Sequence, residues 1–204
     1  MVWLSWVAWC VGLASLPLLS ACVNELSAVP QEEINQAGLT VGRVRAVLTG
    51  ERGRRYEPAV RFFEVENRQT KERFTVDIQS ANGRFIVPLA PGEYELTRVQ
   101  INEGPFLSIA ELGLIFSIGP DPVTYLGVWD FGIDSPRYGR MVSVSMVNDE
   151  EDRAEALETL SLNNPSLDGR VVATVLPNPP QVRTRLLEVM PYPRVPRYFR
   201  RHWW

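Results

Sequence analysis

Histidine and cysteine are almost missing from this chain, and their scarcity removes whole classes of chemistry. His202 is the sole histidine and sits in a proline-rich C-terminal stretch. No Ser-His-Asp or Cys-His constellation and no histidine metal site can therefore be assembled inside a domain. Cysteine occurs twice, as Cys10 and Cys22. Cys10 lies in an apolar leader, so a processed chain keeps Cys22 alone, which excludes a disulfide and any CxxC site. The domain must then be stabilised by its core. Charge imbalance is also slight, a net −3, which gives no case for a nucleic-acid partner. No cofactor and no metal are expected.

Residues 1 to 21 lack every Lys, Arg, Asp and Glu, and the run closes on Leu19-Ser20-Ala21-Cys22. An apolar h-region followed by small residues is the pattern of an export signal with its cleavage site. The run resembles the lipobox of bacterial lipoproteins. That resemblance implies cleavage between Ala21 and Cys22, diacylation of the Cys22 thiol and acylation of the new amine. Each buried methylene contributes about 0.8 kcal/mol, so two or three chains hold a protein on a membrane almost permanently. Met1 to Trp6 offers no positively charged n-region, which leaves open a start further upstream. It also leaves open an uncleaved anchor, since 18 or more apolar residues can span a bilayer. Pro17 and the small pair before Cys22 oppose the anchor. Val23 follows the cysteine where an Asp would mark inner-membrane retention in enteric-type sorting, so the resemblance points to the outer-membrane class, facing the periplasm.

The chain divides into a signal (1–21), a lipidated tether (22–39), a β domain (40–180) and a basic tail (181–204). The tether mixes Asn, Glu, Gln and Ser without a period of 2 or 3.6, and as a flexible coil it spans roughly 20–25 Å. From Thr40 apolar residues alternate: Val41 to Leu48, then Val60 to Glu64, then Phe74, Val76 and Ile78. Such alternation marks half-buried antiparallel strands. Asn82-Gly83 between Ile78 and Phe85 predicts a hairpin over 74–88. Phe85, Val87, Leu89, Tyr94 and Leu96 share one face around Pro91-Gly92; a two-residue turn would set Leu89 opposite Tyr94 and Val87 opposite Leu96, but a Pro-Gly type II turn splays strands and points to a wider loop. Phe106 to Ile118, Val123 to Phe131, Tyr138 to Val147 and Val171 to Leu176 supply further strands. The reading is a mainly β antiparallel sandwich of about eight strands with one short helix.

The run GRFIVPLAPGEYEL (83–96) resembles a signature of prealbumin-like sandwich domains of the carboxypeptidase regulatory-like kind. FSIGPDPVTYLGVWDF (116–131) is similar to uncharacterised bacterial lipoprotein domains. The resemblance implies a scaffold or binding module and transfers no active residues.

The helix begins at Asn148 or Asp149, with Glu150, Glu151 and Asp152 in the first turn, where carboxylates suit the helix dipole. Ala154, Leu157 and Leu160 form its expected apolar stripe. The Asp149 to Asp152 run reads as a charged helix start, not a ligand set. Asp121, Asp130 and Asp134 stand near strand ends and could hold calcium or act as an acid pair. No EF-hand spacing accompanies them, and Asp is a default turn residue. Trp129 could stack on a sugar, but on an alternating strand it reads as core.

The segment PYPRVPRYFRRHWW (191–204) cannot bury a core and favours extended polyproline II. Arg194, Arg197, Arg200 and Arg201 with Trp203 and Trp204 suit an anionic lipid zone, a cell-wall polymer or a groove on an envelope protein. The function expected is that of a non-enzymatic, lipid-anchored envelope component that works as a structural or interaction module. A sugar- or peptide-binding module at strand-end loops and a carboxylate hydrolase are the alternatives.

Overall fold

Among the described residues, strand alternation in the sequence becomes ten strands and one α-helix. They are β1 (Leu39–Leu48), β2 (Ala59–Asn67), β3 (Arg73–Asp77), β4 (Arg84–Pro88), β5 (Gly92–Glu103), β6 (Phe106–Ile118), β7 (Val123–Asp134) and β8 (Arg140–Val147). Helix α1 (Glu150–Asn163), a 3-10 turn at Pro165–Leu167, β9 (Val172–Thr174) and β10 (Gln181–Val189) follow. The structure is a computed structural model, and it describes residues 38–50, 56–134, 139–167, 172–175 and 181–189. Among the described residues no helix is long and apolar enough to cross a membrane.

The strand order is β3-β2-β5-β6-β10-β8-β7-β1-β4, with β9 beside β7. One strand joins two sides. Residues Gln181 to Leu186 of β10 pair with β8, and Leu187 to Val189 pair with β6. The result is one sheet, nearly closed like a barrel, with a seam between edge strands β3 and β4. We call β4-β1-β7-β8 the helix side and β3-β2-β5-β6 the open side. The expected class, mainly β with one helix, is observed among the described residues. The all-antiparallel expectation is not: β1 and β9 both run parallel to β7.

Inward residues from both sides share one core. Aromatic rings dominate it: Phe63 lies 4.9 Å from Phe85 and 5.2 Å from Trp129, and Phe116 lies 5.6 Å from Trp129. Trp129 is 1% exposed, and its indole N–H donates to the Leu126 carbonyl at 2.9 Å. The core reading of Trp129 therefore holds over the sugar-stacking one.

Two turn assignments are corrected. Gly83 does adopt a positive φ of 76°, yet β3 pairs with β2 while β4 pairs with β1. Asn82-Gly83 thus carries the chain from one sheet edge to the other and closes no 74–88 hairpin. Pro91-Gly92 likewise crosses between sides, so Tyr94 stands beside Phe116 and Asn67, and Leu96 beside Leu114 and Val65. Leu89 and Tyr94 are both buried. Alternation had identified their face but not their neighbours, because inward strands can pack across a core as well as side by side. The tight hairpin lies at Gly104-Pro105, where Glu103 pairs with Phe106 and Gly104 takes φ 61°.

Residues 181–189, placed in the tail by the sequence reading, are a strand. Leu186 points inward while Arg183 and Arg185 stay exposed, so outward arginines on a half-buried strand had looked like basic tail. β7 hides a second irregularity. Its register with β1 shifts after Val41–Tyr125 to Arg43–Val128, a bulge at Leu126-Gly127. Tyr125 packs toward the helix, whereas Trp129, Phe131 and Ile133 point into the core. Gly127 has φ 73°, and a Cβ there would lie 2.7 Å from the Val147 carbonyl oxygen, so glycine is required for this bulge.

Candidate functional site

Asp149 caps α1 by accepting from the backbone N–H groups of Glu151 and Asp152 at 3.0 and 3.2 Å. The expected stripe shifts: Ala154 is exposed, and the buried edge is Asp152, Ala156 and Leu160. That edge packs on Leu39, Val41, Val123 and Tyr125. Apolar periodicity misses such a face because its first member is a carboxylate.

Asp152 is therefore more than a helix-start charge. Its Oδ1 accepts from Arg43 at 3.1 Å and Arg84 at 3.3 Å, and its Oδ2 accepts from the Tyr125 hydroxyl at 2.9 Å. Arg84 also meets Glu155 at 2.6 Å and donates to Thr159 at 3.4 Å. Arg84 and Asp152 are both 4% exposed, and a buried charge is tolerated only when paired and hydrogen-bonded. Burial, then the contact with Asp152, pushes the Tyr125 phenol well above its ordinary range. The cluster clamps the helix to the sheet.

Beyond the helix, no described element covers the same side. Arg45, Asp130, Ser145 and Gln181 stand abreast across β1, β7, β8 and β10, and Val47, Gly132, Ser143 and Arg183 form the next row. Gly132 makes the floor: a Cβ there would meet the Ser143 Oγ at 2.8 Å and Thr49 at 2.9 Å. A depression of about 220 Å³ results, lined by Thr49, Gly132, Asp134, Met141, Ser143, Gln181 and Arg183. Hydroxyls, an amide, a guanidinium and a carboxylate converge there, a set suited to hydrogen-bonding a small polar group. Arg183 donates to Asp134 at 3.2 Å.

The three aspartates do not form one site. Asp130 receives both Nε and an Nη of Arg45 at 2.6 and 2.8 Å, and its hydrogen bond and charge raise the Arg45 pKa. Asp134 is taken by Arg183, four residues along the same strand, about 13 Å away at the usual rise. Asp121 lies at the Gly119 turn. Among the described residues no three His, Cys, Asp or Glu side chains gather as a metal site would require. Ala21 and Cys22, and Arg194, Arg197, Arg200, Arg201, Trp203 and Trp204, lie outside the described residues. The Asp152 cluster and the Gly132 depression had no signal in motif or composition. Only the strand register brings their members together.

No protein-family model matches the chain, and no curated protein matches it. Among solved structures it is similar to a DUF3823 family protein from Parabacteroides merdae, with 14% identity and a TM-score of 0.27. That match covers 55% of this chain and 59% of the other.

Proposed function

We propose that the chain is an exported bacterial lipoprotein, acylated at Cys22, whose β domain acts as a non-enzymatic structural or interaction module of the cell envelope. The uncharged apolar run closing on Leu19-Ser20-Ala21-Cys22 carries this reading. The acyl chains would hold it in the outer membrane facing the periplasm, and Arg194, Arg197, Arg200, Arg201, Trp203 and Trp204 would meet an envelope protein, anionic lipid or cell-wall polymer. A core filled with aromatic rings leaves ligand contact to the outer faces, which suits such a module. We read the fold itself as a prealbumin-like sandwich joined along β10. In its favour, the chain crosses between sides at Asn82-Gly83 and Pro91-Gly92 over a shared core.

Intact-mass measurement of membrane-extracted protein tests the anchor. The expected species begins at Cys22 and carries the mass of two or three acyl chains. Cys22→Ser is expected to accumulate as unlipidated precursor, because the thiol is the acylation site. A wild-type mature mass without lipid overturns the reading.

The Gly132 depression favours a second reading, a module that binds sugars or peptides, with the ligand on the sheet face. Titration with short oligosaccharide and peptide probes is expected to show binding that Arg183→Ala weakens about tenfold, the loss of roughly one charge-assisted hydrogen bond. Identical isotherms for the two proteins exclude the depression as the site.

A further inference from the structure

The helix side carries a second layer, whereas the open side carries none among the described residues. Its outward residues are nonetheless apolar. Phe62, Ile109 and Ile115 are only half-buried and belong to neither core cluster, and Leu187 is 63% exposed. Register sets Phe62, Gln100, Ile109 and Leu187 abreast, with Ala59, Asn102, Leu107 and Val189 in the next row. At the centre, Gln100 Oε1 and Asn102 Oδ1 are buried without a hydrogen-bond donor. Such acceptors cost free energy unless a donor reaches them.

The charges on this face are also incomplete. Glu64 is paired with Arg98, Glu66 with Lys71 and Arg73, and Glu93 with Arg68. Glu95 forms no ion pair among the described residues, and Glu111 faces Arg98 across the β5–β6 register while that guanidinium is bound to Glu64. The face thus offers apolar area, two acceptors lacking donors, one carboxylate outside any ion pair and a second that shares Arg98 with Glu64.

β10 delivers the chain to the corner of this patch, since Val189 pairs with Leu107. The residues that follow include Tyr192, Tyr198, Phe199, Trp203 and Trp204 and the four arginines. Fifteen extended residues reach up to about 50 Å, whereas crossing from β10 to β2 takes three strand spacings, about 14 Å. Arginine brings rigid N–H donors that fit both carboxylates and amide oxygens.

We propose that residues 190–204 fold back across the outer face of the open side, their rings covering Ile109 and Ile115 and their arginines meeting Glu95 and Glu111. The segment that would meet a partner in trans then has a resting place in cis. This inference goes beyond the anchoring reading and does not depend on it.

Lys71 is the only lysine in the chain, which makes amine chemistry selective. The protein as expressed, in detergent micelles and with Arg194, Arg197, Arg200 and Arg201 changed to Lys, is treated with a water-soluble carbodiimide, which joins a carboxylate to an amine in contact. Peptide mass mapping is expected to find Glu95 or Glu111 joined to the introduced lysines within the monomer. The yield should hold over a tenfold dilution and disappear in the added Glu95→Gln, Glu111→Gln background. The Lys71–Glu66 pair, 3.3 Å apart, reports on the same sample that β2 and β3 are folded. Where that internal link forms, tail lysines that join no residue of the open side overturn the proposal. Links found only in covalent dimers, falling with dilution, assign the face to a second copy and overturn it equally.

Discussion

Phe85→Ala is expected to lower the stability of the domain by about 3–5 kcal/mol, the range for truncating a core aromatic. Gly42→Ala is expected to cost about 1–3 kcal/mol by overpacking. The two should not add. Phe85 is 3% exposed and in ring contact with Phe63 and Trp129, so its removal leaves a cavity beside those rings. Gly42, opposite it in register, lacks room for a methyl group chiefly because of that ring: a Cβ would stand 2.7 Å from the Phe85 Cζ, with the Gly127 carbonyl oxygen a lesser obstacle at 3.2 Å. Once the ring is gone, the new methyl enters vacated space. Double-mutant cycles by denaturant unfolding should therefore give a coupling of 0.5–3 kcal/mol, the range found for residues in contact. Costs that sum to within about 0.5 kcal/mol would show that the ring does not set the limit at Gly42.

That pair also shows where sequence reading stops. Alternation places Phe85 inward correctly, since a one-residue slip would turn the whole apolar set to solvent. It carries no information on which strand lies alongside. Asn82-Gly83 has the residues of a hairpin turn and uses the positive φ they permit, yet it spans two sheet edges. Its geometry is local and pairing is not. β10 shows the converse failure, because Arg183 and Arg185 at exposed positions outweighed Leu186 in composition. At Leu126-Gly127 the bulge changes which residues face inward within one apolar run, a change that leaves the pattern of residue types intact. The proposed acylation of Cys22 rests on a linear motif, and both it and the tail lie outside the described residues. The Asp152 cluster was not legible, because Arg43, Arg84, Tyr125 and Asp152 come from four separate elements.

Asp152→Ala is the complementary test, since it removes a charge instead of a ring. The substitution takes away at once the acceptor of Arg43, Arg84 and Tyr125. Arg43 is 34% exposed in its side chain and also donates to the Asn82 carbonyl, so water can replace what it loses. Arg84 cannot recover in this way. Its side chain is 4% exposed, and its remaining carboxylate partner, Glu155, is 61% exposed. Breaking a buried pair by deleting one partner costs about 3–5 kcal/mol, because the other charge stays behind. Asp152→Ala is expected to fall in that range, with α1 losing hydrogen-exchange protection before the sheet does, as its buried edge is the part released. Replacing the pair together, Asp152→Leu with Arg84→Met, should recover most of the loss, since an apolar substitute for a buried ion pair is often neutral or better. Glu155→Ala should cost far less than Asp152→Ala, because its carboxylate is mostly solvated. If Asp152→Ala melts like Glu155→Ala, the helix is held by Ala156 and Leu160 alone. If the double replacement is as damaged as the single one, the lost energy lies in the geometry of the hydrogen bonds and not in a stranded guanidinium.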